Sequence, residues 1–346
     1  MRVAIFCIIS VIGAASSANL PGGKQNFPRL RGVNRSGTEY NCMKGTTIFD
    51  SPNDDATIEN MKKWKINVVR VPLNEGCWFR RYVPHDESSG DNYKQAINEW
   101  VRRLRAHGLF VILELHWTEG LYSGPSQGSC YEKGAKCQKP MPNLEVSPRF
   151  WTDVANMFKD DQGIIFDLFN EPFPERQITD RNQAWQCWKT GRHECPGFEY
   201  EVAGMQDLVN AVRETGAKNL IMLGGLSFAN DMEGWRENLP YDPEDNLAAS
   251  MHNYNFNSCT NIDCWERGIG AIAKTHTVIV GEIGENDCKH DYIDKLMPYL
   301  EERQISYLAW TWNNWDCKNG PSLIKNYDGE PTEFGIGFKK YLETVV

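Results

Sequence analysis

"FDLFNEPFP", residues 166–174, is an apolar run that halts on Asn170 and Glu171 and is then closed by Pro172. A strand of this composition belongs in an interior, where an uncompensated carboxylate is costly. Pro172 lacks a backbone N–H, fixes its own φ and biases Glu171 toward an extended backbone. The stretch reads as a buried strand built to hold one carboxylate at its C-terminal end.

Outward from it, short apolar runs alternate with longer amphipathic ones. The expected strands are Leu30–Val33, Val68–Val71, Leu109–Leu115, Ile164–Phe169, Leu220–Leu223, Ala248–Met251, Val278–Gly281 and Tyr307–Thr311. Helical patterns fall on Asp54–Trp64, Tyr93–His107, Pro148–Lys159, Glu199–Thr215, Ile262–Lys274, Tyr292–Arg303 and Glu333–Thr344, with a weaker one at Met232–Leu239. Asp54–Trp64 carries Ile58, Met61 and Trp64 at a spacing of three, and Tyr93–His107 closes on basic residues and Gly108. An unbroken β/α series of this length predicts a single-domain (β/α)8 TIM barrel. The competing architecture is an open doubly wound sheet. It would carry a Gly-rich phosphate loop after its first strand, and "GGLSF" (224–228) is not one.

A barrel collects its active site at the C-terminal ends of its strands. Those ends hold Arg70 in "NVVRVP", His116 in "ILELHW", Asn170 and Glu171, His252 and Tyr254 in "HNY", Glu282 in "VIVGEIGE", and Trp310 and Trp312 in "YLAWTWNNW". Each has a structural explanation alone, as a buried ion pair, a satisfied core histidine or a plug. Their joint occurrence at strand ends does not. Two carboxylates facing each other from strands four and seven are what acetal hydrolysis needs: one to protonate the leaving oxygen, one to meet the anomeric carbon.

The same residues resemble glycoside hydrolase family 5, a retaining β-glycosidase family whose catalytic glutamates follow strands four and seven. The resemblance runs from "LRGVNRSGTEY" (30–40) to the last helix and rests on Arg70 in "VRVP", His116 in "LHW", Asn170-Glu171 before Pro172, His252 and Tyr254, Glu282 after Gly281, and Trp310. It implies Glu171 as acid/base and Glu282 as nucleophile. It further implies Arg70 and Tyr254 as supports of Glu282, and Asn170 on the sugar 2-hydroxyl. His116 and His252 would line the cleavage subsite, and Trp310 would stack under a sugar, with Trp312 as the alternative platform. No metal or cofactor is implied.

The implied substrate is a β-linked oligo- or polysaccharide, with endo-β-1,4-glucanase action as the leading expectation. The alternatives are a β-mannanase, an exo-acting β-glycosidase on short oligosaccharides, and a carbohydrate-binding barrel without catalysis. Three enlarged loops on the expected active face, Thr118–Val146, Phe173–Pro196 and Asn253–Asp263, would deepen a cleft or close it into a pocket.

The first residues, "MRVAIFCIISVIGAASSANL", pair Arg2 with a short apolar core and small residues before the expected cleavage after Ala18. Residues 1–18 are thus read as a secretory signal and 19–346 as the catalytic domain. The apolar stretch is shorter than the ~20 residues of a membrane helix, so a secreted, extracellular protein without membrane attachment is expected, working as a monomer. Removing Cys7 from the 11 cysteines leaves ten, an even number suited to disulfides. Cys130 with Cys137, Cys187 with Cys195 and Cys259 with Cys264 are close enough to staple loops, and Cys42–Cys77 and Cys288–Cys317 would complete the set. The net charge of −9 argues against nucleic acid as a partner. Asn34-Arg35-Ser36 is a formal glycosylation sequon, expected to stay unmodified because it directly follows the first strand.

Overall fold

The computed structural model describes residues 28–45, 47–124, 131–317 and 320–346. Eight parallel strands form a closed barrel in sequence order. They are β1 (Arg31–Asn34), β2 (Val68–Asn74), β3 (Phe110–Trp117), β4 (Ile164–Asp167), β5 (Ile221–Gly224), β6 (Leu247–Tyr254), β7 (Thr277–Gly284) and β8 (Ser306–Ala309). Pairing of β1 with β8, Gly32 opposite Leu308, closes the ring and rules out the open sheet.

The outer layer follows from amphipathic helices. Asp55–Lys63 starts where the Asp54 side chain accepts the Thr57 backbone N–H, and it buries Ile58 and Met61. Asp91–Ala106 buries Tyr93, Ile97, Trp100, Val101 and Leu104 at helical spacing. Ser147–Phe158, Met205–Arg213, Ile293–Glu302 and Glu333–Val345 cover the remaining flanks.

Three expectations are corrected. Met232–Leu239 is a series of turns around the buried Trp235, with Pro240 ending any continuation. The helix expected from Glu199 begins only at Met205, because Val202 and Ala203 are drawn into bridges with Asn143 and Gly191. A helix at Arg181–Thr190, capped by the Asp180 side chain, stands inside what reads as a loop; it buries Ala184, Trp185, Cys187 and Trp188.

Inside the barrel the side chains stack in layers. Val68, Ile112, Ile165, Ala248, Ile279 and Leu308 pack in an apolar floor. Two residues further along the strands, the same inward face carries Arg70, Glu114, Asp167 and Ser250, all fully buried. The polar plug is therefore the layer immediately under the C-terminal mouth.

Disulfides join Cys42–Cys77, Cys187–Cys195, Cys259–Cys264 and Cys288–Cys317. The Cys130–Cys137 pairing and the signal over residues 1–18 lie outside the described residues, through Cys130 in the first case. Among the described residues no helix is long and apolar enough to cross a membrane.

Candidate active site

The segment that opened the argument ends its regular pairing at Asp167, earlier than the run of apolar residues suggests. Its path stays fixed by the neighbours. Leu168 N–H bonds to Met222 O at 3.1 Å and Asn170 N–H to Leu115 O at 3.1 Å. The Trp151 indole N–H donates to Leu168 O at 2.9 Å. Glu171 is thus delivered to the mouth by backbone bonds to β3 and β5, although it lies beyond the strand.

Glu282 arrives differently, from within β7. The β6–β7 register slips between Met251, opposite Val280, and His252, opposite Glu282, so Gly281 is an extra residue in β7. Side chains alternate along a strand, and one inserted residue reverses that parity. The bulge turns Glu282 to the inside, next to an inward-facing glycine. A second slip, between Leu73 and Asn74 of β2, accommodates His116 in β3 in the same way.

The two carboxylates meet. One oxygen of Glu171, one of Glu282 and a ring nitrogen of His252 all lie within 4.8 Å of one another. His252 Nδ1 is 2.8 Å from Glu171 Oε1 and 3.5 Å from Glu282 Oε2. This trio is the set of nitrogen and carboxylate ligands close enough for a metal among the described residues. Their atoms are already engaged with one another, with Arg70 and with Tyr254, and an ion would have to displace those contacts.

Glu282 is anchored by charge. Arg70 donates to Glu282 Oε1 at 2.8 Å, and the Tyr254 hydroxyl donates to Glu282 Oε2. Arg70 also donates to Asp167 at 2.9 Å, to Asn34 Oδ1 at 2.9 Å and to Asn170 Oδ1 at 2.9 Å, with Glu114 Oε2 3.6 Å away. Burial alone would lower the Arg70 pKa, but Glu114, Asp167 and Glu282 more than reverse this and hold it raised. Asp167 is pushed up to about 7, chiefly by burial, although the Arg70 charge opposes the rise.

Glu171 has neutral partners. Gln138 Nε2 donates to its Oε2 at 3.2 Å and to its backbone carbonyl at 2.9 Å. His252, fully buried, is pulled down to about 4, chiefly by desolvation, and is neutral near pH 7. Burial raises Glu171 to about 7, although the His116 charge opposes the rise. His116 itself is held up at about 9: burial would lower it, and the Glu114 carboxylate, 2.9 Å from Nδ1, overcomes that. The charged ring lies nearly parallel to Trp310, 5.6 Å away at 19°.

All eight anticipated site residues therefore converge at one mouth: Arg70, His116, Asn170, Glu171, His252, Tyr254, Glu282 and Trp310. Trp312 does not. It is fully buried and meets Trp64 edge-on at 4.9 Å, so it is part of the outer core and unavailable to a ligand. Asn34 is also fully buried. Its amide donates to Gly281 O at 2.9 Å while its oxygen accepts from Arg70, which leaves the sequon no access for a glycan. Glu39, another residue beside the first strand, is spent on Ser36 and on the Gly37 N–H at 2.7 Å.

Glu114, Asp167 and Gln138 were not picked out from sequence. The first two follow the period-two pattern Val68/Arg70, Ile112/Glu114 and Ile165/Asp167, which a strict reading of inward positions would have exposed. Gln138 stands in a long loop with no periodic signal. A cavity of ≈ 600 Å³ lined by Glu175, Leu226, Asn230, Met251 and Cys259 lies beside this constellation, not over it.

A closed (β/α)8 barrel with paired carboxylates at its C-terminal mouth has the form of a hydrolase cleft. The family model for cellulase, glycosyl hydrolase family 5, matches residues 28–316, and the chain belongs to that family of O-glycoside hydrolases. It is 25% identical over 281 residues to Cellulase CelDZ1 of Thermoanaerobacterium sp, covering 77% of this chain and 61% of that protein. It is 26% identical over 316 residues to Endo-beta-1,4-glucanase A of Emericella nidulans, covering 84% of this chain and 82% of that protein. This chain thus spans less than two thirds of the first relative and most of the second. The beta-glucanase SdGluc5_26A from Saccharophagus degradans, solved in complex with cellotetraose, has a TM-score of 0.69 at 20% identity over 93% of this chain and 89% of that one. That likeness is one of fold.

Proposed function

We propose that the chain is a secreted retaining β-glycoside hydrolase that cleaves β-1,4-glucan internally by double displacement. The observation that carries this reading is that a carboxylate oxygen of Glu171 lies within 4.8 Å of one of Glu282. Retaining glycosidases hold their carboxyl groups about 5–5.5 Å apart, whereas inverting ones leave about 6.5–9.5 Å for a water.

In this reading Glu282 attacks the anomeric carbon while Glu171 gives its proton to the leaving oxygen. A glycosyl–Glu282 ester forms and the C–O bond to the leaving sugar breaks. Glu171, now an anion, takes a proton from water, whose oxygen then displaces Glu282 and restores both groups. Arg70 and Tyr254 support Glu282 as an anion and leaving group. Burial keeps Glu171 protonated until needed. Trp310 offers an aromatic face for the sugar, and His116 a cation beside it. Four disulfides among the described residues suit an oxidising, extracellular setting and support residues 1–18 as a signal ahead of a catalytic domain at 19–346. The names of the two sequence relatives, a cellulase and an endo-beta-1,4-glucanase, favour glucan over mannan.

Side-by-side assays on carboxymethyl-cellulose, mannan and short aryl β-glycosides test the proposal. A rapid fall in carboxymethyl-cellulose viscosity is expected. Cleavage of the aryl glycosides alone would rule out internal action, and cleavage of mannan alone would rule out the glucan assignment.

A further inference from the structure

His252 links the two carboxylates, and its own hydrogen has to be somewhere. The ring is neutral, so it carries one hydrogen, on Nδ1 or on Nε2. Nδ1 faces Glu171 Oε1 at 2.8 Å and Glu282 Oε2 at 3.5 Å. Two carboxylate oxygens at these distances favour the hydrogen on Nδ1. A bare lone pair there would face two acceptors. That choice leaves Nε2 as a buried acceptor, and no hydrogen-bond partner reaches it among the described residues. A buried acceptor left unpaired costs enough to shift a tautomer.

One hydroxyl is placed to satisfy it. Ser250, two residues back on β6 and on the same inward face, is fully buried, and its Oγ also lacks a partner among the described residues. Both atoms border the bulge residue Gly281. A β-carbon there would stand 3.0 Å from His252 Nε2 and 3.1 Å from Ser250 Oγ, so any side chain at 281 would intrude between them. Two unpaired polar atoms within hydrogen-bond reach of one common point, held open by a glycine, form a matched donor and acceptor.

We propose that Ser250 is a positioning residue: its hydroxyl donates to His252 Nε2 through one water beside Gly281, and so fixes the hydrogen on Nδ1. Nδ1 then donates to Glu171 Oε1, which leaves Oε2 as the oxygen that bears the acid proton. Glu171 is thereby held in one rotamer with its proton on a defined oxygen. This inference rests on Glu171 being the acid, and its test separates the two ideas.

The first readout is the ¹⁵N spectrum of ring-labelled wild-type protein. His252 is expected to show a protonated Nδ1 and an unprotonated Nε2; the reverse pattern overturns the proposal without any variant. The second is Ser250→Ala, which is expected to shift the tautomer ratio toward Nε2–H. It should lower kcat about tenfold, the scale of one hydrogen bond, on cello-oligosaccharides whose leaving group needs a proton. KM should not change, and kcat/KM for a dinitrophenyl cellobioside, whose leaving group departs unprotonated, should change less than about twofold. Ser250→Thr, which keeps the hydroxyl, should restore the wild-type ratio. An unchanged spectrum and unchanged kcat in Ser250→Ala overturn the role of Ser250. If Glu171→Gln leaves cello-oligosaccharide turnover intact, the acid assignment fails instead, while the tautomer measurement still stands on its own.

Discussion

The wall that carries Glu282 and the wall that carries Glu171 are built on different principles. Glu282 sits inside β7, turned inward by a bulge, and is bonded by Arg70, the hub of a fully buried network that includes Asn34, Asp167 and Asn170. Glu171 sits beyond β4 and touches two neutral side chains, one of them from a loop. Its side chain is 18% exposed, against 5% for Glu282. A charged, rigid wall stabilises an anion. A neutral wall with some access from the mouth keeps a carboxyl protonated and within reach of a substrate oxygen. In the proposed mechanism this difference in surroundings divides the labour between two chemically identical groups.

Removing either carboxylate tests that division most severely. Glu282→Gln is expected to lower kcat by at least about 10⁴-fold on every substrate, since no nucleophile remains. Glu171→Gln should lower kcat/KM about 10²–10⁴-fold where the leaving group needs a proton, and far less on a dinitrophenyl glycoside, whose first step needs no acid. Equal losses on both substrates in both variants would erase the distinction between the walls.

The walls should also differ in stability. Arg70→Met leaves Glu114, Asp167 and Glu282 buried without their cation, and breaking such a set costs about 3–5 kcal/mol. Glu171→Gln strands no charge and should stay within about 1 kcal/mol of wild type. Chemical denaturation of the two variants measures the contrast, and a small effect of Arg70→Met would mean that the buried network is already largely protonated.

Titration separates them further. In the proposed mechanism Glu171 must hold its proton to act, and burial raises its pKa to about 7. Activity is therefore expected to be full below that value and to fall as pH rises through it. Gln138 donates to the ionised form and lowers this pKa, so Gln138→Leu should move the alkaline limb of kcat/KM to higher pH. A limb that stays in place would show that another group controls it.

How much of this could be read from sequence depended on what each position signals. The barrel was legible because eight apolar runs recur with helices between them, and the strand-end rule then collected the residues of the mouth. Glu114 and Asp167 escaped because a lone acid inside an apolar run looks like an interruption, and only the inward-facing parity gives it meaning. Glu282 was placed correctly by motif, although simple alternation from Ile279 would have turned it outward; the extra residue at Gly281 has no signature in the sequence. Trp310 and Trp312 look equivalent two residues apart, but β8 ends at Ala309, so strand parity no longer relates them. Gln138 reached the acid through a loop whose path no local pattern fixes.

The smallest predicted effect lies where the Glu282 wall runs out to the surface. Tyr254, bonded to Glu282, stacks against Phe256 with ring centres 5.0 Å apart and planes at 17°. Phe256 is 58% exposed, so its second face is open. The turn that presents it is pinned: Tyr254 N–H bonds to Asn257 Oδ1 at 2.6 Å, and Asn255 exchanges two hydrogen bonds at 3.1 Å with Asn286, just past β7. A rigid aromatic face beside Glu282 suits a sugar beyond the proposed cleavage point, a contact of about 1 kcal/mol. Phe256→Ala should therefore raise KM about fivefold for long cello-oligosaccharides and leave kcat and the short aryl substrates unchanged. An equal loss on short substrates would mean that Phe256 acts through Tyr254 on Glu282 itself, as one more layer of the same support.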